Sequence, residues 1–369
     1  MCPPAPPYHL PDESTGALNV LLMPFPYEIQ DDCWRPKDGG WFELHQGWLE
    51  NSDGASKDDT IIDFISAAVL QAKQQLQKDA AIHGIVFPEY ALNTKLVVKL
   101  IDTIRNHAEA WENVPPDRRN EKTKRSNPFH DIEFVVSGSS DYYDLKGNFV
   151  LQALLLRHAT DPRPQFSITG RSKHHRWIID QSQVRAYALQ HLLGSGRWAE
   201  YIQVQPRTIQ TFVFRKGSSF ASMICEDLAR SDPCLDVLRD LGPNIVFVLL
   251  MDGPQTPTRW SARYAQALSD DPGCAVLNVT SLALVERANG TGVYPRSRSI
   301  ALFRGTNGRT HEIICPEGCH GTVVSLRGER CQETTLDGRH SSDSIDWRFE
   351  RYVPIRVYDQ AKRNALFDP

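Results

Sequence analysis

Three reactive side chains stand at or just beyond the ends of predicted strands. Glu89 follows "GIVFP", Lys173 lies in "TGRSKHHRW", and Cys225 ends "ASMI" and is followed at once by Glu226 and Asp227. Loops at strand ends are where sheet proteins assemble active sites, because the scaffold holds them rigidly. Together these residue types make chemical sense. Acyl transfer from an amide or nitrile needs a nucleophile, a proton carrier and a group that stabilises the developing oxyanion. A carboxylate can accept the proton of a thiol, and a fixed ammonium can stabilise the thiolate and then the tetrahedral intermediate. Glu226 and Asp227 work against this, since nearby carboxylates raise the pKa of a thiol. The activating cation therefore has to come from elsewhere in the chain. Residue type and spacing alone leave a plainer reading open. A cysteine in an apolar run is commonly a small core residue, and a glutamate after a strand is commonly solvated.

The elements that must position these residues can be read from periodicity. "ALNVLLMPFP" (17–26) reads as a buried strand ended by prolines. Ile61, Ile65, Ala68, Val69, Ala72 and Leu76 recur at helical spacing, with Asp58 or Asp59 available as a cap. A strand over 82–92 and a helix over 94–110 follow. "DIEFVVSGSSDYY" and "GNFVLQALLLRH" read as paired strands with a turn at Lys146-Gly147-Asn148. "RTIQTFVFRKGSSFASMICED" gives two more strands. Helix then strand recurs twice, in "DPCLDVLRDLGPNIVFVLLMD" and "RWSARYAQALSDDPGCAVLNVTSLAL". "RSRSIALFRG" and "HGTVVSLRG" close the series. The alternation predicts an α/β fold, and the hairpins predict mixed sheets. The polar stretch 112–131, with Arg118, Arg119, Lys122, Lys124 and Arg125, reads as a solvated loop insertion. The expected organisation is a Pro-rich N-terminal arm (1–16), one catalytic domain (17–327) and a C-terminal extension (328–369).

Across 369 residues the formal net charge is −4, which argues against a protein that mainly binds nucleic acid. No apolar stretch approaches the roughly 18–20 residues of a membrane helix, and the start lacks the basic and apolar regions of a secretory signal. The eight cysteines then read as reduced thiols in a cytoplasmic protein. Cys315, Cys319 and Cys331 lack knuckle spacing, so no metal site is expected. "GSGR" (194–197) lacks the context of a phosphate loop, and no G-x-S-x-G is present.

"IVFPEYAL", "RSKHH" and "MICEDL", in that order, resemble the nitrilase or carbon–nitrogen hydrolase superfamily, and "ICED" is similar to the glutaminase domain of glutamine-dependent NAD synthetases. The resemblance runs from about residue 17 to about 327. It implies an αββα four-layer sandwich and a thiol-dependent hydrolase of a non-peptide carbon–nitrogen bond (amide, carbamoyl or nitrile). Under it, Cys225 attacks the substrate carbon to form a thioester and Glu89 moves the protons. Lys173 and the backbone N–H of Glu226 hold the oxyanion. Glu200 is the candidate for the second glutamate of the family, Asn278 falls at its Asn position, and Tyr90 is read as a substrate-side group. The resemblance implies no cofactor, a small-molecule amide or nitrile as substrate, and a homodimer or higher homo-oligomer. The chain departs from the family's pattern in its long 112–131 loop, its long Lys–Cys interval and Arg176 in place of an apolar residue. A catalytically silent nitrilase-like binding or assembly module is the alternative, since such domains also occur beside reverse transcriptases in bacterial defence systems.

Overall fold

The computed structural model describes residues 8–9, 16–51, 53–76, 81–112, 115, 128–158, 165–203, 207–230, 234–271, 273–334 and 340–358. The basic cluster at 118–125 and nearly all of the Pro-rich arm lie outside them.

Alternating apolar residues build two large sheets. The first has eight strands; its order from one edge is Tyr8–His9, Leu145–His158, Phe134–Tyr142, Gly84–Val86, Ala17–Leu22, Gly321–Thr334 and His340–Ile355, with Gln165–Ser172 also pairing with Leu145–His158. The second runs Thr211–Arg215, Ser218–Ile224, Ile245–Leu250, Ala275–Thr280, Ser299–Arg304 and Thr310–Ile314. Each contains three adjacent parallel strands flanked by antiparallel ones. The period of two places Leu18, Val20 and Leu22 in the core between the sheets and Leu21 in the core beneath the helices. Phe134 of the first sheet reaches across to Phe214, Phe220 and Phe247, with ring centroids 5.4, 5.1 and 5.5 Å away. Gly84 is required there, because a Cβ would meet the Phe134 ring at 2.3 Å.

Helices α1 (Asp58–Gln75) and α2 (Thr94–Glu112) cover the outer face of the first sheet. The helix Trp260–Asp270 packs Ala265 and Leu268 onto the second. The result is the four-layer αββα sandwich. A third, small sheet of Trp34–Lys37, Trp41–Leu44, Trp198–Glu200 and Ile178–Ile179 sits beside these layers.

Three local expectations differ from the structure. Asp58 and Asp59 lie in the first turn of α1, beyond the cap, and pair with Lys95 at 2.7 Å and Lys99 at 2.8 Å on α2. The turn after Phe134–Tyr142 is at Tyr143-Asp144, where Tyr143 takes φ 53°, so Asn148 is inside a strand. Residues 340–355, read as part of an extension, form a strand that pairs along Gly321–Thr334. Ile345, Trp347 and Phe349 alternate there with charged residues, and the Trp347 indole N–H donates to Ser218 Oγ at 2.8 Å. Residue 328 thus falls within a strand.

Candidate active site

The ends of the parallel strands bring distant segments together. Gly84–Val86 leads into the turn that carries Glu89 and Tyr90. Strand Phe134–Tyr142 passes so close to this turn that a Cβ on Gly138 would meet Glu89 Cα at 2.4 Å and Tyr90 N at 2.5 Å. Strand Ser218–Ile224 ends in Cys225, the first residue of a short 3-10 turn. Tyr90 (φ 58°) and Cys225 (φ 41°) both occupy the left-handed region, a costly conformation for a side-chain-bearing residue that recurs at functional sites.

Glu89, Lys173 and Glu200 converge in one buried cluster. Lys173 Nζ donates to Glu89 Oε1 and to Glu200 Oε2, at 2.8 Å each. An ammonium has three N–H donors, so one is left over. Asn148 Nδ2 bridges the carboxylates, 2.7 Å from Glu89 Oε1 and 2.7 Å from Glu200 Oε1. Glu200 also accepts from the Tyr90 hydroxyl at 2.7 Å and from Trp177 N at 2.8 Å, which occupies both of its oxygens. Glu89 Oε2, by contrast, is buried without a hydrogen-bond partner among the described residues.

The insertion between Lys173 and Glu200 does not part them. It loops out as two short helices, Gln181–Ala186 and Gln190–Leu193, and Trp198 returns opposite Ile179. Asn148, a ligand to both carboxylates, escaped sequence reasoning. A single asparagine after a glycine reads as a turn residue, and the period-two pattern around it carries no mark of chemistry.

The acids beside Cys225 have cationic partners of their own. Buried Arg171 donates to Asp227 Oδ2 at 3.0 Å, while the backbone N–H groups of His174 and His175 donate to Asp227 Oδ1 at 3.0 Å each. Asp227 therefore ties the segment after Lys173 to the turn that carries Cys225. Glu226 faces Arg230 at 3.7 Å. Among the described residues the one gathering of metal-ligand types is His174, Asp227 and Cys234, where His174 Nδ1 lies 2.9 Å from Cys234 Sγ. Asp227 there is already neutralised by Arg171.

Electrostatics set the resting state. Burial pushes Glu89 up to about 7, Lys173 pulls against this, and Glu200 adds to the rise. Burial alone would lower Lys173, but Glu200 and Glu89 outweigh it and hold the ammonium well above its usual range. Burial and then Glu89 push the Cys225 thiol well above its usual range, and the pull of Lys173 does not offset them. The lysine's charge is shared between two carboxylates, and the Cys225 thiol rests neutral.

Cys225 and Glu226 open onto a cleft of about 1070 Å³ that Trp177, Tyr187, Asp252 and Trp260 also line. Asp252 is a hub in its wall: it pairs with Arg259 and accepts from the Tyr187 hydroxyl at 2.5 Å and the Trp260 indole at 3.0 Å. Tyr90 lines a separate cavity of about 490 Å³ and does not line the Cys225 cleft. Asn278 lines neither. It sits mid-strand, fully buried, opposite Val248 and Leu302, with no partner for its amide among the described residues.

No protein-family model matches the chain, and none of the curated proteins does. Solved structures with a similar fold include the glutamine-dependent NAD+ synthetase of Acinetobacter baumannii, at 14% identity and a TM-score of 0.42, over 92% of this chain and 48% of that one. Nit3 of Saccharomyces cerevisiae, a member of branch 10 of the nitrilase superfamily, is 9% identical with a TM-score of 0.39, over 96% and 95% of the two chains. The C. elegans NitFhit protein is 10% identical with a TM-score of 0.39, over 93% of this chain and 61% of that one. The chain spans about half the length of the synthetase. In its motif order the chain resembles the nitrilase superfamily, and its four-layer fold is the one that this resemblance implies.

Proposed function

We propose that this protein hydrolyses a non-peptide carbon–nitrogen bond, in an amide, carbamoyl or nitrile group, with Cys225 as nucleophile. One observation carries the reading. Glu89, in a buried Glu–Lys–Glu cluster centred on Lys173, keeps one carboxylate oxygen without a hydrogen-bond partner among the described residues, and its charge acts on the thiol that opens onto the cleft. A buried acceptor left unsatisfied costs about 1–3 kcal/mol, a cost that fits a group awaiting a proton.

For an amide the steps balance as follows. Sγ attacks the carbonyl carbon while the thiol proton passes to Glu89. The carbonyl π electrons move onto oxygen, where the third N–H of Lys173 and the backbone N–H of Glu226 stabilise them. Collapse breaks the C–N bond, and Glu89 gives its proton to the leaving amine. A water then attacks the thioester carbon and loses a proton to Glu89. Collapse breaks the C–S bond, and the thiolate recovers that proton, leaving the acid. Because the thiol rests neutral, attack and proton transfer are coupled. Glu200, with both oxygens occupied, holds Lys173 and exchanges no proton.

The test is a screen of amides, nitriles and carbamoyl compounds with hydroxylamine as acyl acceptor, read as hydroxamate, alongside intact-mass detection of an acylated Cys225. The expected result is acyl transfer by the wild type and none by Cys225→Ala at unchanged thermal stability. Equal activity in both proteins would overturn the reading.

A further inference from the structure

The rim of the Cys225 cleft carries charge that the hydrolytic steps do not use. Its charged lining residues are Asp180, Glu226, Asp252 and Glu312 against Arg259, Arg263 and Arg296. Most of these are already committed. Asp180 caps the helix Gln181–Ala186 by accepting from Gln183 N at 3.0 Å, and it takes the Ser182 hydroxyl at 2.7 Å. Glu226 faces Arg230, and Asp252 is paired with Arg259. Glu312 is the one remaining acid, set against two remaining arginines. Arg263 and Arg296, both exposed, have no carboxylate within ion-pair distance among the described residues.

These two arginines reach the cleft from different elements. Trp260, Arg263 and Tyr264 stand at i, i+3 and i+4 on one face of the helix Trp260–Asp270, with the two rings 6.1 Å apart. Arg296 follows Tyr294 in the connection between the helix Leu282–Gly290 and the strand Ser299–Arg304. The cleft, at about 1070 Å³, lies just above the roughly 300–1,000 Å³ that holds drug-sized ligands. A bare short-chain amide would leave most of it empty. Guanidinium groups recognise carboxylates through paired N–H donors.

We propose that the substrate carries a carboxylate several bonds from its scissile carbon–nitrogen bond, held by Arg263 and Arg296, with a flat or apolar body lying against Trp260, Tyr264 and Tyr294. The proposal rests on Cys225 being the nucleophile of this cleft, and its test separates the two ideas. Cys225 is alkylated with iodoacetate, an anion, and in parallel with neutral iodoacetamide. In both cases the S–C bond forms, iodide leaves and the thiol proton passes to Glu89. Peptide mass spectrometry gives the rate at Cys225, and glutathione is the reference thiol. The expected iodoacetate-to-iodoacetamide ratio exceeds that of glutathione by about tenfold, as electrostatic focusing in a cleft allows, and it falls with added salt. Arg263→Ala with Arg296→Ala erases the excess, while the matching Lys pair keeps most of it. A ratio equal to that of glutathione, with Cys225 still labelled ahead of the other cysteines, overturns the anionic assignment and leaves the nucleophile standing. If neither reagent labels Cys225 while other thiols react, both ideas fall. Aryl-alkyl amides matched except for a terminal carboxylate give a second readout. The expected KM of the acid is lower than that of the neutral amide by about tenfold, and the double Ala variant removes that advantage.

Discussion

The charged cluster that acts on Cys225, the floor of the site, and the rim of the cleft are built in opposite ways. In this floor, Glu89, Lys173 and Glu200 are fully buried, do not line the cleft, and are joined through Lys173 and Asn148 by bonds of 2.7–2.8 Å. At the rim, Arg263 and Arg296 are exposed and hold no carboxylate among the described residues. Charges taken out of water must be paired or they destabilise the fold, so the floor tolerates almost no change. Charges left in water cost little, so the rim is free to vary with the substrate. The contrast separates how the bond is cleaved from what is cleaved. It predicts that substitutions of the charged floor residues lower kcat steeply, while rim substitutions only shift preference.

The largest break of that contrast after loss of the thiol itself is Glu89→Gln. The change keeps size and removes the proton acceptor. General acid–base catalysis contributes about 10²–10⁴-fold, so kcat should fall by that amount. The pH profile sharpens the point. Glu89 accepts the thiol proton only when ionised, and burial holds its carboxyl at about 7. In the wild type kcat/KM should therefore fall as pH drops below about 7 and level off above it, and Glu89→Gln should lose this limb. A wild-type profile with its acid limb near 4.5 would mean that Glu89 is not the base.

Next in size is Asp227→Asn, which acts on the tie between the two catalytic segments. Arg171 is 2% exposed and its carboxylate partner is fully buried. Removing the carboxylate leaves a buried cation uncompensated, a loss of about 3–5 kcal/mol, measurable by urea denaturation. Lys173 follows Arg171 and Ser172, and the N–H groups of His174 and His175 lose their charged acceptor. The variant should therefore lose kcat as well as stability, and KM should change little. Stability lost with kcat retained would mean that the tie is structural only.

What the sequence shows divides along the same floor-to-rim line. Glu89 and Cys225 can be read from it because each follows an apolar run, and Lys173 because it opens the Lys-His-His segment between them. Their order carries the resemblance. Asn148 cannot be read, since one polar residue in a strand is defined only by what lies opposite it after folding. The direction of the thiol's shift is also hidden. Residue types suggest a lysine that stabilises a thiolate, whereas in the fold that lysine is shared by Glu89 and Glu200 and the thiol stays neutral. The partners of the two acids after Cys225 are 56 residues back for Asp227, in Arg171, and four ahead for Glu226, in Arg230. Only the nearer one is visible as helix-like spacing. The rim is still less legible, because exposed arginines in loops and on helix surfaces are common and their sequence neighbours do not reveal which cleft they face.

The smallest expected effect is also the finest test of the floor. Tyr90→Phe removes one hydroxyl that donates to Glu200 Oε1 at 2.7 Å. Asn148 still donates to the same oxygen, and Lys173 and Trp177 N still hold the other. The lost bond is one of four to that carboxylate, and a typical hydrogen bond contributes about 0.5–1.5 kcal/mol. The ring stays to fill its place in the aromatic packing around Trp34 and Trp177. Under the proposed mechanism Glu200 steadies Lys173 and exchanges no proton, so kcat should fall no more than about tenfold, the equivalent of about 1.4 kcal/mol, with the acid limb of the pH profile in place. A loss as large as that of Glu89→Gln, or a displaced limb, would instead put Tyr90 or Glu200 in the proton path. The floor would then act through two carboxylates, with the base no longer confined to Glu89.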